Sequence, residues 1–390
     1  MAKKKVSKRK ISNSKKVQKA VAGLSPVAKR IIAIVAFLII AGFILLCYFR
    51  PDVFNKILNL FKPKEENFVT EVIGDVVYVK KLKDVEIHFV DVGQGDSIVI
   101  KLPDDTTMLI DAYNDSDLLD YLKNTLKLTT IDYVLATHSD ADHIGAMDKV
   151  FENFEVKKVF RPYIKHGGEN TFTNDFNKGS KEANSNAYAT FLTHLSNETY
   201  LDGKETKNCE WEFFNYNSDF SKNIHYNNQV YTFTFDFLTP TVSVSDIGYS
   251  DVNSYSPIIK FSYCDTDILF TGDAENESLD EFLSKYTSSS DLEYLDVDVL
   301  KLGHHGTKTS TTKPFLNVVK PEYAIASCGE GNSYGHPHQE VLDLLLNDDI
   351  LLYRTDLNGN IVLNISTTDF TFNLENSNYF PNMYEAPPRD

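Results

Sequence analysis

A mixed α/β domain, two sheets with helices on their outer faces, preceded by one membrane-crossing helix, is the fold class this sequence predicts. Short apolar runs of strand length alternate with helical patterns over most of the chain, a mixture that suits layered sheets and helices. Three of those runs end in tight turns that carry histidine and aspartate. Near the start, Ile31 to Phe49 is nineteen residues without a charge.

Met1 to Arg30 holds eleven Lys or Arg and no acidic residue, which reads as a basic cytoplasmic tail. Residues 31–49 match the ~20 apolar residues needed to cross a bilayer core of ~30 Å. A cleaved signal peptide has a shorter apolar region, ~7–15 residues, and a small-residue cleavage site. No such site follows Phe49, and the bulky Leu46 before Cys47 argues against lipoprotein processing, so the helix is expected to remain as an anchor. Only four basic residues (Arg50, Lys56, Lys62, Lys64) occupy the fifteen positions after the span. The positive-inside bias therefore keeps the N-terminus cytoplasmic and places the rest outside a cell membrane, with a bacterial envelope the expected setting.

Residues 50–84 read as a linker and first strand region, and 85–375 as one large domain. Strands are expected at Glu86–Val90, Ser97–Leu102, Met108–Asp111, Tyr133–Ala136, Val156–Phe160, Tyr231–Leu238, Ile258–Ser262, Ile268–Phe270, Val297–Lys301, Tyr323–Ser327 and Ile361–Ile365. Helical patterns fall at Ser116–Leu126, Ile144–Phe154 and His338–Leu346. From Lys165 to Asn228 the chain is rich in Asn, Thr, Ser and Tyr, with a helix at Ser185–Leu195 and no strong strand period; it reads as an insertion over the site, a lid or a surface excursion. Residues 376–390 look extended, packed loosely or disordered. Cys209, Cys264 and Cys328 form no dense disulfide framework.

The chemistry is concentrated at strand ends. Thr137-His-Ser-Asp-Ala-Asp-His143 places His138, Asp140, Asp142 and His143 on one turn directly after an apolar run. Two imidazoles and two carboxylates so close would be wasted on a loop unless a cation joined them. Leu269 to Glu275 ends another strand with Asp273 at a glycine turn, and Val299 to Gly306 ends a third with His304 and His305. Of ten histidines, six lie in these clusters or in Tyr334-Gly-His-Pro-His338, so a composite metal centre is expected. Lys301, Lys308 and Lys313 flank His304 and could attract phosphate, although solvated lysines are the default. The Gly93/Gly95 loop alone reads as a turn.

The order strand, HxHxDH-like loop, Gly-Asp, His-His-Gly resembles the metallo-β-lactamase superfamily. Val90-Asp-Val-Gly-Gln-Gly-Asp-Ser97, Leu109-Ile-Asp-Ala112, Thr137 to Gly145, Asn332-Ser-Tyr-Gly-His-Pro337 and Tyr353-Arg-Thr-Asp-Leu-Asn-Gly359 resemble the ComEC-like hydrolase domain of DNA-uptake competence proteins. The resemblance runs from about Val85 to Leu363 and implies an αββα sandwich. It also implies that His138 and Asp140 hold one metal position, that Asp142, His143 and one of His304 and His305 hold the other, and that Asp273 bridges. Asp140 stands where most of the superfamily has histidine, although ComEC-like members are similar here in carrying aspartate. A further family histidine has no clear counterpart. His166, then His194 and His225, are the candidates, each in a polar stretch where a solvated histidine is the ordinary reading.

A carboxylate in place of an imidazole hardens the site, which favours manganese or magnesium relative to zinc; one or two divalent ions are expected. Such ions generate hydroxide near neutral pH, and a pair suits in-line displacement at a phosphodiester. Within that reading Asp142 and His336 are the catalytic candidates, His336 donating to an oxyanion or protonating a leaving alkoxide. Asn332, Ser333 and Lys308 are candidates for substrate binding. Asp111 and Asp96 are expected behind the ligands, fixing their rotamers. A nuclease-like phosphodiesterase leads. The alternatives are a phosphodiesterase of the cell envelope, of teichoic-acid or choline-phosphate type, and a non-catalytic accessory of DNA uptake. Residues 65–390 hold 24 basic and 54 acidic side chains, a formal net charge of −30, which works against gripping a polyanion.

Overall fold

Alternating apolar residues build the two sheets, as the strand periods require. The structure is a computed structural model that describes residues 69–73, 76–164, 186–377 and 382–387, all within one unit, Asn67–Asp390. The expected basic tail and membrane helix, 1–30 and 31–49, lie outside the described residues. Among those described, no helix is long and apolar enough to cross a membrane.

The strands in chain order are β1 Val69–Ile73, β2 Val76–Val79, β3 Val85–Phe89, β4 Ile98–Lys101, β5 Thr107–Ile110, β6 Thr130–Leu135, β7 Glu155–Arg161, β8 Thr199–Asp202, β9 Glu205–Asn208 and β10 Glu210–Phe213. They continue with β11 Phe220–Tyr226, β12 Gln229–Phe237, β13 Ile259–Tyr263, β14 Thr266–Phe270, β15 Val299–Lys301, β16 Tyr323–Ala326, β17 Leu351–Arg354, β18 Ile361–Ile365 and β19 Phe370–Leu374. A nine-stranded sheet has the order β1-β2-β11-β12-β13-β14-β15-β16-β17, and an eight-stranded sheet the order β10-β7-β6-β5-β4-β3-β18-β19.

Three apolar clusters define the layers. Between the sheets, Val85, Ile87 and Phe89 of β3 and Ile98 and Ile100 of β4 meet Phe235, Phe261, Ile268, Phe270 and Val299 of the other sheet. The intervening residues face outward. Val99, Leu109 and Val134 pack against Leu118, Leu122, Met147, Val150 and Phe191 on helices, and Leu269, Leu300 and Ala324 against Leu279, Phe282, Leu316 and Leu342. That is helix, sheet, sheet, helix, the sandwich implied by the resemblance.

Each expected strand falls on an observed one. The differences lie elsewhere. The segment read as free of strand period carries β8 to β11 in its described part. β10 pairs parallel with β7 at the edge of one sheet, and β11 pairs with β12 and β2 inside the other. Only Ile224 of β11 is fully buried, so the strand has almost no apolar alternation to read. The helical pattern at 144–154 is two helices, Ala141–Ile144 and Met147–Asn153. The tail expected to pack loosely is held at 382–387: buried Arg354 donates to the carbonyls of Met383 at 3.1 Å and Glu385 at 2.8 Å, and the Tyr384 hydroxyl donates to Ile350 O at 2.8 Å.

Candidate metal centre

The turns after β5, β6, β14 and β15 open at one end of the sandwich and bring their polar residues together. Asp111, after β5, sits in the left-handed region (φ 58°) and is fully buried. Its carboxylate accepts from Thr137 N at 2.8 Å, Thr137 Oγ1 at 2.7 Å and His143 Nδ1 at 2.7 Å. One buried carboxylate thereby fixes the loop after β6 and the ring of His143. Burial raises the Asp111 pKa against the opposing charge of His143.

The hydrogen bonds assign each imidazole's tautomer. His143 donates through Nδ1 to Asp111. His304 donates through Nδ1 to Glu275 Oε1 at 2.6 Å, and His305 through Nδ1 to the Ser327 carbonyl at 3.0 Å. Nδ1 of His138 lies 3.1 Å from Thr137 Oγ1 and 3.2 Å from Ser256 Oγ. Thr137 spends its hydroxyl proton on Asp111, so toward His138 it accepts. All four rings therefore keep Nε2 for the centre, the nitrogen a metal would take.

Those nitrogens face carboxylates. His143 Nε2 is 3.0 Å from Asp273 Oδ1, and His304 Nε2 is 3.7 Å from Asp273 Oδ2. His305 Nε2 is 3.4 Å from Asp142 Oδ2 and 3.8 Å from Asp273 Oδ2; His138 Nε2 is 3.9 Å from Asp140 Oδ2. Ligand atoms of Asp142, His143, Asp273 and His305 all lie within 4.8 Å of one another. Among the described residues, buried Nε2 of His138 has no hydrogen-bond partner, and buried Nε2 of His143 and Oδ1 of Asp273 face only each other, as an ion pair. Buried polar atoms left so are costly unless something else satisfies them, and a divalent cation fits this donor set.

Charge supports the fit. Burial opposes ionisation of Asp273, but His143 and His305 hold it well below the ordinary carboxylate range. Burial likewise opposes charge on His143 and His305, yet Asp273 and its neighbours outweigh it, raising His143 well above its usual value and His305 to about 9. Protons on those rings are what a metal would displace. Asp140 differs: burial and the nearby Asp142 push it up to about 6.

His304 and His305 both have positive φ, 46° and 57°, in a Gly303–Gly306 turn. Two consecutive non-glycine residues in the left-handed region cost about 1–3 kcal/mol each and persist where the surroundings demand it. The consequence is that the two rings leave the turn on different sides. His305 joins Asp142 and His143, while His304 turns to Glu275, which Thr309 Oγ1 also holds at 2.7 Å.

Behind His305 lies a second buried device. Lys301, expected as a solvated lysine, is fully buried and donates to Asp96 Oδ2 at 2.7 Å; Asp96 Oδ1 lies 3.5 Å from His305 Nδ1. The metal-facing cavity, about 410 Å³, is lined by Gln94, Tyr113, Asp140, Ala141, Asp142, His304, His305, Tyr334 and His336. His336 is neutral there, since burial and the neighbouring His305 push its pKa down to about 3. A larger cavity of about 760 Å³ elsewhere is lined by Asp91, Asp117, Asp120 and Glu375, and its carboxylates would repel a phosphodiester.

Three substrate candidates do not reach the cavity. Asn332 spends its amide inside its own loop, donating to Gly329 O at 2.9 Å and His336 O at 2.7 Å and accepting from His336 N at 2.9 Å. Ser333 is exposed and absent from the lining, and Lys308 pairs with Glu340 at 2.8 Å on the surface. His166 lies outside the described residues. His194 faces Glu152 at 3.5 Å and His225 packs on Tyr78. Glu275 and Gln94 are site residues that the sequence does not single out, although each lies within a noted motif, and Lys301 is raised there only as a possible phosphate cation; nothing local marks Ser256.

The metallo-beta-lactamase superfamily model matches residues 90–212. ComE operon protein 3 of Bacillus subtilis (strain 168) is 26% identical over 297 residues, 71% of this chain and 32% of that protein. Competence protein ComA of Neisseria gonorrhoeae is 38% identical over 125 residues, 32% of this chain and 17% of that protein. The chain thus spans about a third or less of these two relatives. Among solved structures, the metallo-beta-lactamase fold protein YhfI from Bacillus subtilis aligns with a TM-score of 0.38 at 11% identity, covering 72% of this chain and all of that one. The resemblance carried by the motifs is shown: residues 90–212 match the metallo-beta-lactamase superfamily, and the chain is similar to ComE operon protein 3 and Competence protein ComA.

Proposed function

We propose that the chain is a metal-dependent phosphodiesterase, nuclease-like in its substrate, held at the outer face of a bacterial cell membrane by residues 31–49. The observation that carries the reading is the set of four imidazoles with Nε2 turned to Asp142, Asp273 and Asp140, of which Asp140, Asp142, His304 and His305 line one cavity. A divalent metal bound there supplies Lewis acidity for activating water and polarising a phosphoryl oxygen. Asp142, partly exposed at the cavity, orients the attacking water, and His336 offers a neutral imidazole to the developing charge. Similarity to a protein named for competence supports DNA as the diester.

A second substrate is favoured by charge. Among the described residues no Lys or Arg lines the cavity, and residues 65–390 carry a net −30. Grip on a long polyanion normally comes from such cations. A small or envelope-borne phosphodiester needs none.

The test is hydrolysis of single-stranded DNA, double-stranded DNA and bis-p-nitrophenyl phosphate by the full chain with manganese, magnesium or zinc, beside Asp142→Ala and His143→Ala. Metal-dependent DNA cleavage lost in both variants is the expected result. Cleavage of the small diester alone transfers the reading to an envelope polymer. Bound metal without turnover of any diester defeats it in favour of an accessory binding role.

A further inference from the structure

The loop Val92 to Ser97 reaches the centre at Asp142, His305 and His336, more than a turn requires. Asp96 N donates to Asp142 O at 3.1 Å, and a Cβ on Gly95 would lie 2.4 Å from that same oxygen. The Asp96 side chain holds Lys301 and approaches His305. A Cβ on Gly329 would lie 2.8 Å from Gln94 N, so the 328–332 turn is pressed onto the loop at Gln94.

There Gln94 has a defined orientation. Gly329 N donates to Gln94 Oε1 at 3.1 Å, which turns the amide nitrogen the other way, 3.3 Å from His336 Nδ1. An amide NH2 can only donate, so Nδ1 of His336 accepts and the proton of the neutral ring sits on Nε2. Asn332 fixes the backbone of His336 on both sides, and Tyr334 stacks on its ring at 5.5 Å. Among the described residues Nε2 makes no hydrogen bond, and the ring lines the metal-facing cavity. His336 is therefore arranged oppositely to His138, His143, His304 and His305, whose Nδ1 atoms donate and whose Nε2 atoms are the ones left to a metal.

We infer that Gln94 is a positioning residue that fixes His336 as a Nε2–H donor aimed at a non-bridging oxygen of the phosphodiester, and bars it from taking a metal. The step is a hydrogen bond that strengthens as charge grows on that oxygen; no proton leaves the ring. This rests on the phosphodiesterase reading for the identity of the acceptor, and not for the tautomer.

The experiment is nitrogen NMR of the full chain labelled with 15N-histidine, with the His336 signals assigned by their loss in His336→Gln. The expected spectrum shows His336 Nδ1 unprotonated and Nε2 protonated. In Gln94→Glu the carboxylate accepts instead, so Nδ1 becomes protonated, and kcat for bis-p-nitrophenyl phosphate falls about 100-fold with metal content and KM unchanged. Gln94→Met, similar in size and unable to donate, gives a mixture of tautomers and a smaller loss of kcat. A protonated Nδ1 in the parent chain overturns the inference, as does parental kcat in Gln94→Glu. The spectrum needs no substrate, so failure to hydrolyse any diester counts against the proposed function alone.

Discussion

The centre has two halves that the same motifs supply and the fold treats differently. Asp142, His143, Asp273 and His305 form a tight set whose supports, Asp111 and the Asp96–Lys301 pair, are fully buried. His138, Asp140 and His304 form a looser set, with Asp140 45% exposed and 3.9 Å from His138. Even the protons differ: the carboxylates of the tight set are held ionised by buried imidazoles, whereas Asp140 is raised to about 6. Ligand spacing in a motif thus sets which residues meet, and the groups behind them set how firmly. The expectation is a tight metal position beside a weaker one.

The sharpest way to break that contrast is through the buried pair. Lys301→Met leaves Asp96 buried and unpaired, which should cost about 3–5 kcal/mol of stability in denaturant melts. Adding Asp96→Leu should regain most of it without restoring metal affinity at His305. A single-variant cost near zero would show that the deep half is not anchored in this way.

Asp111→Asn is next. Orienting carboxylates contribute about 10–100-fold to metal affinity, and this one serves His143 directly and His138 through Thr137. Both positions should weaken together in a cobalt titration; weakening of one alone would separate the halves more than the hydrogen bonds allow. Glu275→Gln touches only the His304 side, so about a 10-fold loss confined to the weaker step is expected. Smallest is Thr137→Val, which removes one of the two hydroxyls beside His138 Nδ1 and one of the donors to Asp111, at a cost of about 1 kcal/mol in thermal stability. The backbone donor and His143 still hold Asp111, so the tight step stays in place.

The same contrast separates what the sequence discloses from what it hides. The ligands are local, carried by a turn at a strand end, and the strands that deliver them are marked by short apolar runs, as in β14 and β15. Supports are not local. Asp96 and Lys301 are 205 residues apart, Glu275 and His304 are 29 apart, and Ser256 meets His138 across 118. Lysine at a strand end looks like surface until a carboxylate from the other sheet is placed on it. For the same reason the polar strands β10 and β11 escaped notice: their place comes from pairing with β7, β12 and β2, not from their own pattern. Asn332 shows the converse error, a residue of a chemical motif whose whole amide is spent on shaping the loop that presents His336.

The most direct measurement is a calorimetric titration of the metal-stripped full chain with manganese, repeated on His305→Ala and His138→Ala. Two steps are expected, a tight one abolished by His305→Ala and a weaker one abolished by His138→Ala with the tight step intact. Loss of the tight step in His138→Ala, or two steps of equal affinity in the parent chain, would contradict the two-tier centre.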